Sequence, residues 1–267
     1  MAKFVGFLAL LALLAIAAAW YSMRPAVPRG ATPQTGAMAA VDTSWLSDLY
    51  SQNPRDIERG TGKVTTLGTQ ALPQIQAVLR DRSAQHEHRR AALRACGILG
   101  PAADPALPEV STALLEPDLT ADAAAAMSFM GPDAFAPLAK TLESGNPTVR
   151  RESLRSIGKL RFRAPLPSSE VVPLLLDGMT DTDEGVRTVA ATYLGIIHEE
   201  PESSVPLLAQ GLADPDPAVR RASATALGSF GSQASEAVPA LRKAAADQDP
   251  DLAREAGRAI VAVGGSR

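Results

Sequence analysis

The chain has 267 residues, of which 26 are Lys or Arg and 29 are Asp or Glu; 46% are apolar and only 4% aromatic. After residue 41 there are 23 Lys/Arg against 29 Asp/Glu, an acidic balance that argues against nucleic acid as the main partner. A single cysteine, Cys96, excludes an intrachain disulfide framework.

Residues 1–23 are one lysine, Lys3, and then an uncharged run of twenty residues from Phe4 to Met23. At a rise of about 1.5 Å per residue, such a run crosses a hydrocarbon core of about 30 Å. Trp20 and Tyr21 stand where an interfacial aromatic belt would. The segment reads as an uncleaved single-pass anchor. The rival reading is a signal peptide cut after Ala17-Ala18-Ala19, which would release a secreted or periplasmic chain with the bulky Trp20 first. Lys3 and the amino terminus balance Arg24 and Arg29, so the positive-inside count is nearly a tie; the short N-terminal tail favours an exported C-terminal part. Residues 24–41, rich in Pro, Ala, Gly and Thr and without apolar period, read as a flexible linker.

Folding is expected from residue 42 to 267. Asp42 to Tyr50 reads as a short helix with Trp45, Leu46 and Leu49 on one side, suited to cap an array. Helix signals then run 69–80, 87–100, 104–115, 119–130, 133–143, 147–160, 168–179, 184–197, 202–212, 217–230, 233–246 and 250–263. The stretch Asp214 to Asp247 shows the underlying unit. Asp214-Pro215-Asp216-Pro217 is a turn with Asp216 as N-cap and Pro217 at the first helical position. Val219, Ala222, Ser223, Ala226, Leu227 and Phe230 then recur at helical spacing, and a second helix follows around Pro239.

This unit matches itself on a shift of 33 residues: Val219 falls on Val186 and Leu252, and Leu227 on Leu194 and Ile260. An apolar-Pro pair marks every second helix, at Leu72-Pro73, Leu107-Pro108, Ala136-Pro137, Val172-Pro173, Val205-Pro206 and Val238-Pro239. Those prolines are 35, 29, 36, 33 and 33 residues apart, a period that belongs to stacked repeat arrays. The loop 161–167 accommodates the longer spacing beside it. About six helical hairpins and a terminal half-repeat are visible.

The pattern D-x-D-P-x-V-R-x-x-A-x-x-A-L-G followed by an apolar-Pro helix resembles the HEAT-like repeat, in the subtype first noted in phycobilisome lyases. The resemblance runs from about Pro54 to Gly264, sharpest at 146–160, 181–197 and 214–247 and weakest at 54–68 and 117–131. It implies a right-handed α-solenoid, which with the hydrophobic N-terminal helix read above makes an all-α fold. It also implies, in most such proteins, an interaction scaffold rather than an activity. The alternative it leaves open is a bilin-lyase-like enzyme or enzyme subunit, though no residue carries over as catalytic.

Two arginine columns stand out. Arg89, Arg150, Arg187 and Arg220 each follow the apolar start of a first helix; a ladder of pairs with turn acids such as Asp183, Asp214 or Asp216 is expected there, more than a ligand site. The outward positions of the first helices hold Arg90 and Arg94, Ala121 and Ala125, Arg151 and Arg155 (extended by Lys159), Thr188 and Thr192, Arg221 and Thr225, and Arg254 and Arg258. The i, i+4 spacing puts each pair on one face. In HEAT-like arrays the equivalent helix lines the concave face, which makes these cations a stripe for a protein partner with an acidic segment.

No catalytic residue, cofactor, metal or small-molecule substrate is evident. Gln85-His86-Glu87-His88 and His198-Glu199-Glu200 lack the further ligands that a metal site needs. Cys96 aligns with buried Leu194 and Leu227 and reads as inert packing. Gly60-Thr61-Gly62-Lys63 lacks the strand and spacing of a nucleotide loop.

Overall fold

The computed structural model describes residues 44–264. The apolar helix expected at 4–23 and the linker at 24–41 lie outside the described residues. The membrane localisation read from that segment is corrected: among the described residues no helix is long and apolar enough to cross a membrane, so a single-pass anchor is not supported. The exported, secreted or periplasmic placement rested on the same segment and is dropped with it.

Every regular element among the described residues is helical. A short α1 (Ser44–Tyr50) precedes the repeats. The first helices of the hairpins are α2 (Pro54–Leu67), α4 (His86–Leu99), α6 (Thr120–Met127), α8 (Pro147–Leu160), α10 (Glu184–Ile197) and α12 (Pro217–Phe230). Their second helices are α3 (Leu72–Arg80), α5 (Leu107–Leu114), α7 (Phe135–Lys140), α9 (Ser168–Gly178), α11 (Pro201–Gly211) and α13 (Val238–Ala244). A last first helix, α14 (Pro250–Gly264), follows. First helices stack on one another in chain order, and each second helix packs on the first helix of the next repeat.

The turn chemistry explains where these helices begin. Asp214 accepts a hydrogen bond from the Asp216 N–H at 2.8 Å, which folds the turn. Asp216 then caps α12, accepting from the N–H groups of Ala218 and Val219 at 2.8 and 3.1 Å. Asp181 and Asp183 repeat this arrangement at α10, and Asn146 caps α8. Helix α2 is missing from the helix signals, although the repeat resemblance reaches it, weakly, at 54–68. Its sequence carries Gly60, Gly62 and paired threonines, which weaken the helical signal, but Asn53 caps it and Pro54 starts it. Several second helices are also shorter than expected, because a 3₁₀ turn precedes the α-helical part at Gly68–Ala71, Gly100–Ala106, Pro132–Ala134 and Gly231–Ala237.

The core is one continuous layer between the two rows of helices. Leu93, Leu154, Ile157, Leu194 and Leu227 are fully buried or nearly so. Trp45 caps the first layer: it is fully buried and donates through Nε1 to Gln74 Oε1 at 3.3 Å. Close helix approach depends on small residues. A Cβ on Gly195 would stand 2.5 Å from Ala226 Cα, and one on Gly158 would overlap the Tyr193 ring.

One helix end is strained. Gly68, Gly100 and Gly231 close α2, α4 and α12 with φ between 54° and 59°. The equivalent position after α10 is His198, at φ 39°, and Glu200 two residues on has φ 52°. A side chain in the left-handed region costs about 1–2 kcal/mol. His198→Gly is therefore expected to raise stability by about 0.5–1 kcal/mol, read as a higher urea midpoint; no gain would mean the turn is relaxed as it stands. The register of the core has its own test. Leu227→Ala is expected to cost about 2–5 kcal/mol, while Thr225→Ala, on the exposed face of the same helix, stays within about 0.5 kcal/mol. Equal thermal shifts for the two would contradict it.

Candidate functional site

The inner arginine column is structural. Arg187 forms a two-pronged pair with Asp214 of the next turn, both bonds at 2.8 Å, and donates to the Asp181 carbonyl at 2.9 Å. Arg150 does the same with Asp181 at 2.7 and 2.6 Å and with the Ser144 carbonyl. Arg89 pairs with Glu116 at 2.6 and 2.8 Å, a glutamate where the other repeats use aspartate. Arg220 donates to the Asp214 and Pro215 carbonyls instead of a carboxylate. Of the acids expected as partners, Asp214 is one, whereas Asp183 and Asp216 serve as helix caps.

These contacts set the acids' protonation. The hydrogen bonds from Arg150 hold the Asp181 carboxyl below its ordinary range against the opposing effect of burial. Arg89 does so for Glu116. At Asp214 burial is the larger single influence and opposes ionisation, but the bonds from Arg187 and the Asp216 N–H, with nearby positive charge, together outweigh it. The three arginines are correspondingly raised.

The outward stripe is present on the first helices but is largely neutralised. Arg90 pairs with Asp122 of the next helix at 2.9 Å, and Arg221 with Asp249 at 3.2 Å. Arg151 and Arg155 share Glu152 at 3.2 and 3.3 Å. Arg254 meets Asp251 and Glu255, and Arg258 meets Glu255 at 3.0 Å. Arg94 donates to the Leu49 carbonyl at 3.0 Å, and it forms no ion pair among the described residues; neither does Lys159.

An open cleft of about 670 Å³ interrupts the stripe. It lies over α6, between α4 and the end of α1. Its lining combines small residues (Ala91, Gly97, Ala125 and Ala126), larger ones (Leu49, Tyr50, Ile98 and Phe129) and the charged Glu87, Arg90, Arg94 and Asp122. Phe129 is 46% exposed, and the Arg163 guanidinium lies 4.0 Å from its ring centroid. Sequence pattern names the basic residues here but misses Tyr50, Phe129 and Arg163. The available signal was the repeat alignment, in which Phe129 occupies the Lys159 position and Ala125 the Arg155 position.

Other polar candidates resolve into local roles. His86 contacts the Asp118 carbonyl at 3.2 Å, and His88 stacks obliquely on Tyr50. No group of three or more metal-ligating side chains gathers among the described residues. Burial pushes the Cys96 thiol up to about 12, with Glu109 adding to the effect, so it packs as a small apolar side chain.

The family model of HEAT repeats matches residues 135–213 and 205–267, so this part of the chain carries HEAT repeats. Among solved structures, importin β is 14% identical over 80% of this chain, with a TM-score of 0.58, and the match takes in 32% of importin β. That likeness is one of fold, a stacked array of helical repeats. The complex of CpcE and CpcF of phycocyanin lyase from Nostoc sp. PCC7120 is 21% identical over 90% of this chain and 100% of its own, with a TM-score of 0.41. A computationally designed armadillo repeat protein for modular peptide recognition is 16% identical over 82% and 98%, with a TM-score of 0.43. Comparison with curated proteins gives no match.

The inner clamps predict a pH dependence. A carboxylate whose folded pKa is depressed contributes stability that is full above its unfolded value, near 3.9 for Asp, and is lost as pH falls through the folded pKa. The urea midpoint should therefore decline below about pH 4, and Asp214→Asn should flatten that decline. An unchanged slope in the variant would remove Asp214 from the account.

Proposed function

We propose that this chain is a non-enzymatic protein-binding scaffold that holds an extended segment of a partner along the outward face of its first helices. The observation that carries the reading is the combination on that face of an open apolar cleft and a row of arginines. A stack of helical repeats offers one long surface in which each repeat contributes an equivalent strip, and that geometry suits an extended chain. Fixed ion pairs such as Arg151–Glu152–Arg155 and Arg221–Asp249 give the strip polar groups that are already oriented, which favours partner selection over raw affinity. The lyase-like alternative would need a reactive nucleophile, and Cys96 does not suit that role, being buried with its thiol raised.

Short random peptides displayed on phage and selected on the full chain test the proposal. Selected binders should lose about tenfold or more in affinity on Thr192→Trp, or on combined Arg151→Glu and Arg155→Glu. They should be indifferent to Lys243→Glu on the second-helix face. Binders blocked by the second-helix variant and not by the others would overturn the reading.

A further inference from the structure

Helix α6 departs from its neighbours in two ways. It has 8 residues where α4, α8, α10 and α12 each have 14. Its outward positions are Ala121 and Ala125, where α4 carries Arg90 and Arg94 and α8 carries Arg151 and Arg155. Of these two positions Ala125 lines the cleft, together with its neighbour Ala126.

The two ends of the cleft differ in charge. Toward the start of α4, Glu87 and Asp122 surround Arg90, and the Arg90–Asp122 pair is closed at 2.9 Å. Toward the end of α4, Arg94 gives one N–H to the Leu49 carbonyl and keeps its other donors. Arg163 is not among the residues that line the cleft but lies 4.0 Å from the ring centroid of Phe129, which does, and neither it nor Arg94 forms an ion pair among the described residues. Lys159, on the next first helix at the position equivalent to Phe129, forms none among them either. The other stripe arginines all meet carboxylates. The chemistry this end lacks is therefore an anion, and the chemistry the lining of Ala91, Ala125 and Ala126 accepts is an apolar side chain.

We propose that the cleft over α6 is the anchoring subsite for an extended segment of a partner protein. An apolar side chain of that segment fills the space above Ala125, and the carboxylates that directly follow it pair with Arg94 and Arg163. The inference rests on the scaffold reading and deepens it by fixing the chemistry of the bound segment and its place on the array. Arg163 suits the role because its guanidinium lies over the Phe129 ring and its side chain makes no ion pair among the described residues, and two-pronged carboxylate binding uses the guanidinium N–H edges.

The test uses the full chain and three fluorescein-labelled peptides, read by fluorescence anisotropy at low salt. One carries a Leu-Glu-Glu core, one Leu-Lys-Lys and one Gly-Glu-Glu. The first should bind at least about tenfold tighter than either of the others. Ala125→Trp fills the cleft from an exposed position and should weaken the first peptide by about tenfold or more. Combined Arg94→Glu and Arg163→Glu should reverse the preference toward the Leu-Lys-Lys peptide, a gain that misfolding cannot mimic. Equal binding of the acidic and basic peptides would overturn the proposal. So would loss on combined Arg151→Glu and Arg155→Glu with Ala125→Trp silent, an outcome that leaves the scaffold reading standing. If none of the three peptides bound, the subsite would be overturned, and the random-peptide selection would decide the scaffold reading separately.

Discussion

Three interfaces of this array share one type of hydrogen-bonded ion pair between neighbouring turns, and it constrains their register. Arg187 shows its full form: one arginine holds the carbonyl of its own turn and, through two parallel bonds, the aspartate of the next. That aspartate is itself fixed by the N–H two residues on, in the bond that folds its turn. One side chain thus ties a helix start, its own turn and the next turn together. The pairs are mostly buried, with 12–14% of each side chain exposed at Arg150–Asp181 and Arg187–Asp214. At that depth the net gain over an apolar contact is small, but leaving one partner alone is costly, so the pair penalises a slipped register more than it rewards the correct one. The fixed fork geometry of arginine sharpens this further.

The clamp works together with the small-residue contacts between first helices. Gly195 against Ala226 lets α10 and α12 approach closely, and the arginine on the same helix fixes how far one slides along the other. Stacking then adds nearest-neighbour interfaces one at a time. At the last described interface the scheme changes. Arg220 reaches only carbonyl oxygens, while Asp249 is engaged by Arg221, one residue further along α12. The outward column takes over a contact that the inner column supplies elsewhere.

How far the sequence was legible follows from the same physics. The D-x-D-P turns could be read because each residue acts locally, with one aspartate that folds the turn, a second that caps and a proline that starts the helix. Helix α2 could not, since its helix depends on Asn53 and on packing of Gly60 against Asp48 and Leu49 of α1, a tertiary contact. Local pattern also named the stripe arginines but not their neutralisation, because Asp122 and Asp249 come from the following repeat. The cleft was hidden for a different reason. Its small lining includes Ala125, where other repeats carry longer side chains, and one of its exposed aromatics, Phe129, stands at a column position that elsewhere holds Ile98, Lys159, Ile196, Ser229 or Ala262. A search for chemistry-bearing residues passes over a site built from alanines.

Helix α6, which contributes Asp122, Ala125 and Ala126 to that cleft, is tied down on its other sides. Leu119, Met127 and Met130 bury it in the core. The turn that leads into it is held by Arg89 through Glu116 and touched by His86 at the Asp118 carbonyl. From the far side, Ser156 of α8 donates to the Ala124 carbonyl at 2.8 Å. These bonds tie α6 to its neighbours, α1 contributes Leu49 and Tyr50 to the lining, and Trp45 of α1 is fully buried in the first core layer. The cap that ends the hydrophobic core is thus also a wall of the site. On the scaffold reading, a preformed groove of this kind would need little ordering when a chain enters it, leaving more of the contact energy for affinity and discrimination.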